Sequence, residues 1–158
     1  MTEREIEIVL VEDNPAEAEL TAHALGALGF QNMEILRDGV EALDFVFCRG
    51  CYGHRTSRRP PKLILLDLNL PKIDGLEVLK EVKSDPRTKA IPVVILTASK
   101  DEEDQVKGYH LGANSYLQKP VDFNRYREIV NHVGVYWLKV NLPPPPRAFL
   151  FNEASSSR

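Results

Sequence analysis

Three carboxylates, a hydroxyl and an ammonium share one kind of place along this chain, at the end of a short run that reads as a strand. Glu12 and Asp13 follow IVLV, Asp67 follows LILL, Thr97 follows VVIL, and Lys119 follows SYLQ. Carboxylates brought close together raise one another's pKa unless a cation sits among them. Hard oxygen ligands with open water positions suit Mg2+. A carboxylate beside such an ion is a poor base but a well-placed nucleophile, and the ion would neutralise an incoming phosphoryl group. Asp13, Asp67 and the backbone carbonyl of Asn69 are the expected inner ligands, with Glu12 acting mostly through water. Lys119 would hold a phosphate oxygen as a point charge, and Thr97 would donate a hydrogen bond. Taken singly, an acid at a strand end more often caps a helix. The set, in this order and at this spacing, carries the reading.

Chemistry of this kind needs elements that bring the five positions together. Short apolar runs suit strands buried on both faces of a parallel sheet. Strands are expected at 5–11, 33–36, 63–67, 91–96 and 115–118. Helices are expected between them, at 15–28, 40–47, 76–84, 101–111 and 122–140. Asn14-Pro15 suits a helix N-cap followed by Pro at the first helical position. Gly29 and Asp85-Pro86 are stop signals. Strict alternation of strand and helix predicts an α/β fold, a five-stranded parallel sheet with helices on both faces. The flavodoxin-like strand order 2-1-3-4-5 fits a chain of this size and gathers the carboxyl ends of strands one, three, four and five.

The chain has 158 residues, enough for one domain that buries its own core. Residues 1–140 are read as that domain and 141–158 as a Pro-rich tail. Net charge is -3, so no bulk attraction to nucleic acid is expected. No apolar stretch approaches the roughly 18 residues that a bilayer span requires. The charged start, MTEREIEIVL, lacks the layout of a secretion signal, and a cytoplasmic protein is expected.

The motifs EDNP, LILLDLNLP with its later Asp74-Gly75, VILTAS and YLQKP occur in this order. Together they resemble the receiver domain of response regulators, the CheY-like phosphoacceptor module of two-component signalling. The resemblance covers about residues 5–140. It implies that Asp67 is phosphorylated by a sensor histidine kinase, and that Glu12, Asp13, Asp67 and Asn69 hold Mg2+. It implies that Thr97 and Lys119 respond to the phosphoryl group. Tyr116 matches the family's switch aromatic, and Lys119-Pro120 matches its cis peptide. The expected role is a phosphoacceptor with slow autodephosphorylation, not an enzyme acting on an external substrate. LLDLNLPK, the IPVVILT run, DEEDQV and the late Tyr136-Trp137 further resemble regulators paired with bacterial phytochromes. That narrower likeness implies a phytochrome-type kinase as partner and a homodimer.

The last helix carries more apolar residues than one core-facing side needs. Tyr126, Val133, Tyr136 and Trp137 are therefore candidate dimer contacts. Cys48, Cys51 and His54 supply only three of the four ligands of a structural zinc site. As a redox motif, CxxC should open a helix, whereas this one follows a helix. Arg49, Arg55, Arg58 and Arg59 make a local basic patch. Pro143 to Pro146 should form a stiff polyproline spacer, with Phe149-Leu150-Phe151 as an apolar hook, which is more often a plain tail cluster and alternatively a dock on a neighbouring subunit. Two other functions fit less well. A phosphatase with an Asp nucleophile needs a second acid at position 69, which is Asn. A flavin carrier needs a hydroxyl-rich phosphate loop after strand one, where this chain has the acidic EDNPAEAE.

Overall fold

The computed structural model describes residues 6–55 and 59–149. Five strands alternate with five α-helices: β1 (Ile8–Val11), α1 (Pro15–Ala27), β2 (Met33–Leu36), α2 (Gly39–Val46), β3 (Leu63–Leu66), α3 (Gly75–Ser84), β4 (Val93–Thr97), α4 (Glu102–His110), β5 (Ser115–Gln118) and α5 (Phe123–Val135). The strands form one parallel sheet in the order β2-β1-β3-β4-β5. The three inner strands are buried along their whole length, as their unbroken apolar runs require. Alternate residues of β1 feed opposite cores. Val9 and Val11 pack toward α2 and α3, and Ile8 and Leu10 pack toward α1 and α5.

Each helix begins on an Asn or Asp side chain that accepts backbone N–H groups: Asn14, Asp38, Asp74, Asp101 and Asp122. Such a cap contributes about 1 kcal/mol, and it fixes where each strand-to-helix loop ends. Those loops form the rim of the site. No helix among the described residues is long and apolar enough to cross a membrane.

Several expectations need correction. In α2 the apolar spacing predicts Val40, Leu43, Val46 and Phe47 as the inner face; Leu43 and Val46 are buried, but Val40 is 39% exposed and Phe45 is buried instead. The last helix is α-helical only to Val135 and continues as a π-helical turn, Tyr136–Val140. The loop after α2 holds a short 3₁₀ turn, Gly50–Tyr52. No cis peptide bond occurs among the described residues, so Lys119-Pro120 is trans, the isomer X–Pro bonds prefer by about 0.5–1 kcal/mol. Tyr126 and Val133 are 4% and 5% exposed, packed into this chain's own core. The Tyr126 hydroxyl also pairs with Thr21 Oγ1 at 2.9 Å. Neither side chain is free to meet a second copy, whereas Tyr136 remains about half exposed. Phe149 is buried in the core on the α2–α3 face of its own chain, so that part of the hook is occupied internally. Arg58, Leu150 and Phe151 lie outside the described residues.

Candidate phosphoacceptor site

Register places the key acids side by side. Val11 pairs with Leu66 across β1 and β3, so the next residues, Glu12 and Asp67, emerge together. Glu12, Asp13 and Asp67 each offer a carboxylate oxygen, all within 4.8 Å of one another. Glu12 and Asp67 are buried, and Asp13 is exposed. This is a hard-oxygen cluster with one open side, a donor set that suits a hydrated Mg2+.

Lys119 enters from the end of β5. Its backbone N–H donates to the Thr97 carbonyl at 2.7 Å, which anchors it across the end of β4. Its Nζ then donates to Asp67 Oδ2 at 2.9 Å, to Glu17 Oε2 at 2.6 Å, and to Glu12 Oε1. One ammonium therefore serves three carboxylates. Burial alone would lower the Lys119 pKa, but the hydrogen bonds it donates to Asp67, Glu12 and Glu17 hold it above the ordinary lysine value. Glu12 shows the opposite balance. Burial, assisted by the charge of Asp67, outweighs Lys119 and pushes its carboxyl up to about 8. An acidic site with too little positive charge favours a proton or a cation.

The loop after β3 shapes the rest. The Asn69 N–H donates to Asp67 Oδ1 at 3.3 Å, which turns the Asn69 backbone toward the acids. Gly75 lies so close to that strand end that a Cβ there would overlap the Asp67 carbonyl oxygen and sit 2.6 Å from Leu68 Cα. On the outer side, Lys72 takes the left-handed region at φ 70° and pairs with Asp38 Oδ2 at 3.3 Å.

The buried Thr97 Oγ1 accepts from the Ser99 N–H at 3.3 Å. Ser99 Oγ in turn donates to Asp104 Oδ2 on α4 at 2.6 Å. The Tyr116 hydroxyl is buried and meets no partner in hydrogen-bonding geometry among the described residues. Its ring lies over Gly108, 3.2 Å from where a Cβ would stand. A chain of contacts thus runs from the acid cluster through Thr97 to α4 and Tyr116.

All five strand-end residues expected from the sequence meet in this site, with Asn69 on its rim. Sequence reasoning missed Glu17, Ser99 and Asp104. Glu17 stands three residues after the N-cap Asn14, the position of a capping-box acid, and that spacing was its only signal.

The comparisons agree with this geometry. A family model described as the response regulator receiver domain matches residues 8–131. A probable methanogenesis regulatory protein, FilR2, of Methanothrix harundinacea is 44% identical over 88% of this chain and 88% of its own. The response regulator Rcp1 of Synechocystis is 44% identical over 86% of this chain and 92% of its own. The structure of Rcp1 in its Mn2+-bound form superposes with a TM-score of 0.82, at 40% identity over 88% of this chain and 99% of that one. The phosphorylated cyanobacterial phytochrome response regulator RcpA gives a TM-score of 0.83, at 40% identity over 89% of this chain and 99% of its own.

Proposed function

The chain belongs to the response regulator receiver family, and from that premise we propose that it is a phosphorylation-controlled switch whose phosphoacceptor is Asp67. Phosphorylation on Asp with Mg2+ and autodephosphorylation are typical of the family. The observation that carries the assignment to Asp67 is the 2.9 Å bond from Lys119 Nζ to Asp67 Oδ2 inside the acid cluster. Asp67 is the acid of that cluster at the end of the central strand, with the Asn69 N–H and Lys119 aligned on its two oxygens.

The phosphodonor is a phosphohistidine of a sensor kinase. An Asp67 carboxylate oxygen attacks phosphorus while the nitrogen–phosphorus bond breaks; the leaving ring, already protonated on its other nitrogen in the phosphohistidine, departs as neutral imidazole, and Asp67 becomes an acyl phosphate. Glu12, Asp13, Asp67 and the Asn69 carbonyl would hold Mg2+, which would neutralise charge on the phosphoryl oxygens. Lys119 exchanges its bond to Asp67 for one to a phosphoryl oxygen. Thr97 turns its hydroxyl to the same group and releases Ser99, so the Ser99–Asp104 contact on α4 loosens and Tyr116 can follow.

Rcp1 and RcpA support a phytochrome-type kinase as the partner. A cytoplasmic location fits that partner. The exposed Tyr136, Trp137 beside it, and Val140 at 63% exposure form the face we assign to a homodimer. Phosphotransfer tests the partner. Label on an autophosphorylated phytochrome-type kinase should move to the wild-type chain within minutes and fail to move to Asp67→Asn. Transfer to the variant would remove Asp67 from the role. Transfer from unrelated histidine kinases alone would remove the phytochrome pairing.

A further inference from the structure

Glu17 is an acid that nothing in the acid cluster or the strand ends assigns a role. It comes from the first turn of α1, 102 residues from Lys119 in sequence, yet its carboxylate lies 2.6 Å from Nζ. It is not one of the grouped metal-ligating acids. Its side chain is 37% exposed, while Lys119 is 5% exposed. We propose that Glu17 is a positioning residue that competes for Lys119, and so sets how strongly the site holds a metal ion against how strongly it holds a phosphoryl group. This role rests on the phosphoacceptor reading of Asp67.

Charge sets the competition at Lys119. Lys119 has three protons to donate, and the structure directs one to each of three carboxylates. Phosphorylation brings a doubly charged group that needs one of them. Glu17 opposes this in two ways, by occupying a donor and by adding a negative charge beside the incoming oxygens. The same carboxylate helps a cation. It offsets part of the Lys119 charge that would otherwise repel a metal ion in the cluster. Glu17 is not needed to hold Lys119 in place, because Glu12 and Asp67 bind the same Nζ from buried positions. Loss of its charge should therefore outweigh loss of its anchoring.

Glu17→Gln keeps an oxygen that can accept from Lys119 and removes the charge. Two probes are titrated into the full chain: Mn2+ alone, and beryllofluoride in saturating Mg2+. The variant should bind beryllofluoride about threefold more tightly and Mn2+ about threefold more weakly, as expected for one partly exposed charge pair. Both differences should shrink in about 1 M salt, where charges are screened within about 3 Å. A misfolded or loosened site would weaken both probes and would not respond to salt in this way. Equal affinities for wild type and variant, or weakening of both, would overturn the role of Glu17 and leave Asp67 as acceptor untouched. Binding of Mn2+ with no beryllofluoride binding by either chain would overturn the phosphoacceptor reading itself.

Discussion

At the scale of single residues, the site is a charge imbalance held in place by burial. Three carboxylates share one lysine, and the least favoured of them is Glu12, whose carboxyl is pushed up to about 8. Its folded pKa lies above its unfolded value, so the folded state binds the extra proton. Between pH 5 and 8 stability should therefore fall as pH rises. Lys119 adds nothing in that window, because its pKa lies above the ordinary lysine value in the folded state. Thermal melts in EDTA should show the decline, and Mg2+ should flatten it by taking the place of the proton. A second prediction concerns Lys119. Lys119→Met leaves Glu12 and Asp67 buried without their partner, a change that costs about 3 kcal/mol when a buried pair is broken. Urea unfolding in EDTA measures the loss, and added Mg2+ should recover part of it. Glu12, Asp13, Asp67, Thr97 and Lys119 were legible in the sequence because each stands at or just after the end of a run that reads as a strand. Glu17 was not, because its partner is 102 residues away and local spacing marks only its helix start.

At the scale of elements, loop shape depends on close backbone approach. A Cβ at Gly75 would overlap the Asp67 carbonyl oxygen, and the neighbouring atoms are backbone that cannot swing aside. Gly75→Ala should destabilise the fold by about 2 kcal/mol, within the usual range for overpacking, and should lower phosphorylation of Asp67 as well. Denaturant unfolding and a phosphorylation time course separate the two effects. The order of elements and the sheet were legible because strand runs and Asp or Asn caps alternate without a gap. The end of α5 was not. The apolar pattern continues to Val140, but the backbone changes to i→i+5 pairing after Val135, with the Asn141 N–H bonded to the Tyr136 carbonyl at 2.6 Å. Hydrophobic spacing at that length does not distinguish an α turn from a π turn. In α2, Val40 and Phe45 stand on largely opposite sides of the helix, and Phe45 joins Ala42, Leu43 and Val46 in the core.

At the scale of the whole molecule, the two ends of the sheet do different work. The carboxyl end carries the site. At the opposite end, the Pro-rich segment returns past Pro60, Pro61 and Lys62, and Phe149 closes against the core. Phe149→Ala should cost about 2 kcal/mol in urea unfolding, less than a central aromatic because the ring lies at the core's edge. It should leave acyl-phosphate labelling of Asp67 unchanged. The composition of the tail predicts a stiff spacer, but no local pattern says which surface Phe149 reaches. The exposed face at the end of α5 makes a separate prediction. Tyr136→Glu should shift the chain toward monomer in sedimentation velocity, because a charge there must be desolvated in any dimer that covers it. Tyr126 and Val133 are already occupied within the chain, so the surface left for the proposed dimer is narrower than the apolar stripe of the sequence suggests.

On the proposed reading, Asp67 takes a phosphoryl group in a metal-dependent reaction. Intact mass after incubation with a small acyl phosphate tests it most directly, for wild type and Asp67→Asn, with Mg2+ and with EDTA. The account predicts one phosphoryl adduct on wild type in Mg2+, little or none in EDTA, and none on the variant. An adduct that persists in Asp67→Asn, or no adduct on wild type in Mg2+, would contradict it.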